Sequence, residues 1–157
     1  MTGTTQHIGA AGELLVQYQL LKYGIDSARL TTDSGVDLVV YSLVDARAHT
    51  VQVKTQRTPR PSGGKGPLST GWFFPHDLGA EFLAVALLSS NRVWLFTRDE
   101  ARELAQEHSA RGIRQIHWLA EPATRRDGSV RRSAADMEQY LLESRVSELF
   151  GHEHPDV

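Results

Sequence analysis

Three polar residues, Asp37, Gln52 and Lys54, stand in a stretch that otherwise reads as sheet: SGVDLVVYSLVDARAHTVQVKTQ, from Ser34 to Gln56. Alternation puts Gln52 and Lys54 on one face of a strand and Val51 and Val53 on the other. Apolar neighbours bury much of such a segment, and isolated polar groups are costly there. An acid, an amide and a lysine gathered on a sheet therefore point to chemistry. Glu13, upstream between Gly12 and two leucines, is a fourth candidate. Two carboxylates and one amide oxygen are hard ligands that suit Mg²⁺, which keeps several waters, so three protein oxygens are enough. A metal held there would polarise a phosphodiester oxygen and activate a bound water. Lys54 would orient or help deprotonate that water and steady charge building on the phosphate. The plainer alternatives are a buried Asp37–Lys54 ion pair without metal and an exposed Glu13 favoured by the dipole near a helix start.

Those residues need elements to hold them. His7 to Tyr23 reads as a helix, with Leu14, Tyr18 and Leu21 as one apolar stripe and Gly24 as its C-cap. The small residues Gly9, Ala10, Ala11 and Gly12 would let that helix lie close to a sheet. Glu13 and Gln17 share a face. Asp26 to Leu30 is a short strand, Thr31 to Gly35 a turn, Val36 to Leu43 a second strand that Asp37 opens, and Thr50 to Thr55 a third. Asp45 to His49 connects the last two. Arg57 to Gly71, rich in proline and glycine, reads as a long, mobile, basic loop, and loops of that length in a compact domain are often functional. Trp72, Phe73 and Phe74 either stack on a base or plug the edge of the core, the core being favoured.

Phe82 to Leu88 is a nearly continuous apolar run, as in a central strand buried on both faces. Arg92 to Thr97 is its neighbour after a Ser89–Asn91 turn. Thr97 and Glu100 form a capping box for a helix over Arg98–His108. Ile113 to Leu119 is a last strand and Ser133 to Phe150 a last helix, with Met137, Leu141, Leu142 and Leu149 on its apolar side. The predicted fold class is α/β, a mixed central sheet flanked by helices. Residues 1–150 are expected to form a single domain, and 151–157 a frayed tail.

At 157 residues the chain can bury a proper core. With 40% hydrophobic and 23% charged residues it reads as globular, and its longest apolar runs are too short to span a bilayer. The absence of cysteine excludes disulfides, thiol nucleophiles and thiolate zinc sites. No secretory signal opens the sequence, which makes the cytoplasm the expected compartment. A net charge of -2 rules out a bulk polycation, so nucleic-acid binding would rest on local patches. One patch holds Lys54, Arg57, Arg60 and Lys65 without an acid. The other holds Arg125, Arg126, Arg131 and Arg132 against Asp127. Either could equally be a solvated surface. None of the seven histidines lies at zinc-protease spacing, His152-Glu153-His154 falls in the expected tail, and no nucleophile elbow, P-loop or dinucleotide fingerprint occurs.

The helix with Glu13, the GVD that opens a strand at Asp37, and the Gln52-Val53-Lys54 triplet on the next strand resemble the PD-(D/E)XK nuclease superfamily. That group includes many restriction enzymes, archaeal Holliday-junction resolvases and some intron homing endonucleases. The resemblance runs over residues 7–97, where the order of elements fits. Val36 stands where the proline would be, and Gln52 replaces an acid. Gln52 still offers a carbonyl oxygen but no charge, and Mrr-like restriction enzymes and certain homing endonucleases look like Q-X-K. The resemblance implies a restriction-endonuclease-like fold. It also implies a metal site of Asp37 and Gln52 assisted by Glu13, taking Mg²⁺ with Mn²⁺ as substitute, and Lys54 managing the water. Arg57, Arg60 and Lys65 would contact DNA phosphates, and cleavage of two strands would call for a homodimer. Fold does not itself establish function. A catalytically inactive nuclease-fold module that binds nucleic acid or a partner protein is the alternative that Gln52 favours. A domain with no nucleic-acid role is the alternative that net charge favours.

Overall fold

Thr4 opens the first helix. Its hydroxyl accepts from the His7 N–H, satisfying one of the donors a helix start leaves without partners. Helix α1 then runs Thr5–Leu21 and ends at Gly24, whose φ of 74° suits a residue without a Cβ. The structure is a computed structural model that describes residues 4–32 and 34–151; Asp33 and residues 152–157, most of the expected tail, lie outside that range. The strands follow as β1 (Ser27–Arg29), β2 (Leu38–Ser42), β3 (Arg47–Gln56), β4 (Arg60–Pro61), β5 (Leu68–Pro75), β6 (Phe82–Leu87) and β7 (Arg92–Thr97). Helix α2 (Arg98–Leu104), β8 (Glu107–His108), β9 (Ile113–Leu119), a 3₁₀ segment (Ala134–Tyr140) and α3 (Leu142–Phe150) complete the chain.

The main sheet has the order β1-β2-β3-β6-β7, with β3 and β6 parallel and the other pairs antiparallel. It is the mixed central sheet that the sequence predicts. Strand β6 is buried along its whole length, as its apolar run requires. Phe82, Ala84 and Ala86 face one core with Val16 and Leu20 of α1 and Val146 and Phe150 of α3. Leu83, Val85 and Leu87 face another with Trp72, Trp94 and Trp118. The three indoles pack with centroids 4.9–5.7 Å apart, in the range of tilted and edge-to-face pairs.

Several expectations are corrected. Arg57–Gly71 is not a long loop. It holds β4 and the start of β5, joined through a 3₁₀ turn at Ser62–Gly64, and belongs to a second sheet of order β4-β5-β9-β8. The glycines that suggested a mobile loop make the turn, with Gly63 and Gly64 at φ 60° and 82°. Trp72 and Phe74 are core, whereas Phe73 points outward and is 59% exposed. The α1 stripe is also reversed. Gly12, Val16 and Leu20 face the sheet, while Leu14, Tyr18 and Leu21 are exposed. Gly12 decides this, because a Cβ there would overlap the Thr55 hydroxyl of β3, so the helix rests on the sheet at its glycine. Helix α2 stops at Leu104 rather than His108, because Gln106 turns into the second sheet and donates its N–H to the Gln115 carbonyl. The helix expected over Ser133–Phe150 breaks at Leu141, which is extended and bridges to Trp94. No helix among the described residues is long and apolar enough to cross a membrane.

Candidate active site

Beyond Leu38, paired with Val51, β2 ends while β3 continues. Asp37 occupies that fork. Its N–H donates to the Val51 carbonyl at 2.9 Å, and its Oδ2 accepts from the Val53 N–H at 2.7 Å. A side chain thus supplies the rung that the backbone of β2 no longer provides, and a bond from a donor to a carboxylate is stronger than a neutral one. The acid is therefore anchored to the strand that carries Gln52 and Lys54.

Gln52 is 6% exposed and pairs in register with Leu83, one strand inward from the fork. Its Oε1 is buried with no hydrogen-bond partner. An orphaned acceptor costs about 1–3 kcal/mol, so this oxygen is an unmet demand for a cation or a donor. Lys54, two residues on, is half-buried on the same face of β3.

Glu13 lies on α1 opposite the fork and is 21% exposed at its side chain. Its Oε2 accepts from Nε of Arg29 at 2.8 Å and lies 2.8 Å from Nη2 in the same ion pair. One turn further along α1, Gln17 donates to the carbonyl and hydroxyl oxygens of Ser27. The shared face of Glu13 and Gln17 is thus the grip of α1 on β1. Arg29 is the site residue that the sequence reading lacks. It sits in a three-residue strand with no motif around it, and nothing in the order of residues announces its partner.

Glu13, Asp37, Gln52 and Lys54 all line one open cleft of about 580 Å³, with Arg29, Thr31 and Thr32 on its far wall. The structure brings together every residue of the expected metal and catalytic set. Two carboxylates, one unsatisfied amide oxygen and a lysine fit a hard divalent cation in chemical type. The carboxylate count is low, and no group of three His, Cys, Asp or Glu side chains is placed to hold a metal ion among the described residues. The expected phosphate-binding residues lie elsewhere. Arg57 and Lys65 are exposed outside the cleft, and Arg60 lines a separate depression on the second sheet.

No protein-family model and no curated protein matches the sequence. Among solved structures, the bacterial homing endonuclease I-Ssp6803I superimposes with a TM-score of 0.63 at 18% identity, over 96% of this chain and 95% of that one. The chain thus has the fold of that nuclease along nearly its whole length.

Proposed function

We propose that the chain is a Mg²⁺-dependent endonuclease of the PD-(D/E)XK class that hydrolyses DNA phosphodiester bonds in the cleft of Glu13, Asp37, Gln52 and Lys54. The observation that carries this reading is convergence: four residues chosen for their chemistry meet in one cleft, on a fold shared with a homing endonuclease. Asp37, Gln52 and Glu13 would hold the ion, with Mn²⁺ as substitute. The metal, when bound, supplies charge neutralisation at the phosphate and a more acidic water. Asp37 stays in place because the Val53 N–H holds it, and Gln52 offers an oxygen already stripped of solvent. Lys54 positions the attacking water and offsets charge on the phosphate. Cutting both strands takes two copies of a one-site domain, so a homodimer follows.

The second reading, a module that binds nucleic acid or a partner protein without cutting, draws on two features. Gln52 brings no charge, and Arg29 already engages Glu13. A cleavage assay on supercoiled plasmid and a four-way junction, with Mg²⁺, Mn²⁺ or EDTA, separates the two. Metal-dependent cutting by the wild type, abolished in Lys54→Ala with an unchanged melting temperature, is the expected result. Salt-sensitive binding with no cutting in either metal would sink the enzyme and leave the module.

A further inference from the structure

The two basic patches of the sequence, far apart along the chain, meet. Arg131 donates from Nη2 to the Ser62 hydroxyl at 3.3 Å, which joins the turn after β4 to the segment after β9. Around that junction lies the outer face of the second sheet. The register places Phe73 beside Gln115, Gly71 beside His117 and Arg60 beside Ser69, and neighbours across an antiparallel pair share a face. Trp72, Phe74, Ile116 and Trp118 alternate inward. Arg60, Phe73, Gln115 and His117 line one depression of about 360 Å³, and Arg125, Arg131 and Arg132 line its neighbour, with His117 common to both. Burial first, then the nearby arginines, against the opposing pull of Glu107, hold the His117 imidazole below its ordinary pKa of 6.5. The face lies beside the cleft: Gln56, two residues along β3 from Lys54, lines the depression and accepts from the Gly71 N–H at 3.2 Å.

We propose that the outer face of the second sheet is a duplex DNA-binding surface that extends the cleft, with Arg60, Arg125 and Arg131 on phosphates and Phe73 and Gln115 toward a groove. This rests on the nuclease reading. Charge complementarity favours nucleic acid, and a flat antiparallel ribbon suits the major groove of a duplex. Single strands are held by successive stacking aromatics, whereas the depression offers only Phe73 and the half-buried His117 ring. Glu107 is the acid there, and it lies 3.7 Å from His117.

Fluorescence anisotropy in EDTA tests this, with a duplex long enough to pass the cleft, a short duplex confined to it, and a single strand. The proteins are the wild type, Arg125→Gln/Arg131→Gln and Phe73→Ala, each with its melting temperature checked. The double variant should bind the long duplex on the order of tenfold more weakly, with a salt slope shallower by about one per arginine lost. Phe73→Ala should weaken the long duplex and leave the short one unchanged. Wild-type affinity in both folded variants, or equal preference for the single strand, would overturn the surface while the nuclease stands. A wild type that binds no duplex would overturn both.

Discussion

Gln52 combines burial with an amide oxygen that has no hydrogen-bond partner, and that combination costs stability. Leucine has a similar volume and no polar atoms. Gln52→Leu should therefore raise the stability of the metal-free protein by about 1–3 kcal/mol, the usual cost of an orphaned acceptor, and should abolish metal-dependent cutting. Urea unfolding and the plasmid assay read the two effects. A destabilised variant would mean that the amide already has a structural partner. The chemistry of these side chains was legible in the sequence, because polar residues inside a strand pattern stand out against their neighbours. The Arg29–Glu13 pair was not, because an ion pair between a helix and a three-residue strand leaves no periodicity.

Helices α2 and α3 are tied by one acid. Glu100 closes the capping box with Thr97 and accepts from Arg145 of α3 at 2.6 Å. Burial alone would raise the Glu100 carboxyl, but hydrogen bonds from Arg145 and Thr97 outweigh it and hold its pKa below the ordinary 4.5. A depressed carboxylate contributes stability that is complete above its unfolded value and is lost as pH falls through its folded one. Urea midpoints of the wild type should thus fall as the pH drops below 4.5, and Glu100→Gln should start lower at neutral pH and decline less steeply. Parallel declines would contradict this. The capping box was readable from Thr97 and Glu100 alone, as were β6, β7 and β9, because each obeys a local rule. Strands β4 and β5 were hidden, since Pro61, Gly63, Gly64 and Pro67 punctuate a hairpin as they would a loop. The partner that makes β5 a central strand, β9, lies far along the chain. Leu141 likewise leaves its helix for a contact with Trp94 that no nearby residue foretells.

The alternation of β6 between two cores makes the layers interdependent. The helical signal comes from α1, α2 and α3, with α1 and α3 packed on the first core, whereas all three tryptophans report the second. Far-ultraviolet dichroism and tryptophan fluorescence should therefore give coincident melting curves, as a single cooperative unit requires. Two separated midpoints would show that the second sheet is an independent body.

The contact of Gly12 with Thr55 leaves α1 almost no freedom to slide, and Gln17 fixes its pitch against β1. Whatever releases Glu13 from Arg29 must then happen in the side chains. In the proposed nuclease, Glu13 would be freed by a rotamer change, an event of picoseconds to nanoseconds, and not by a shift of α1. The slow step of the proposed catalytic cycle would then lie in handling the substrate and not in assembling the site.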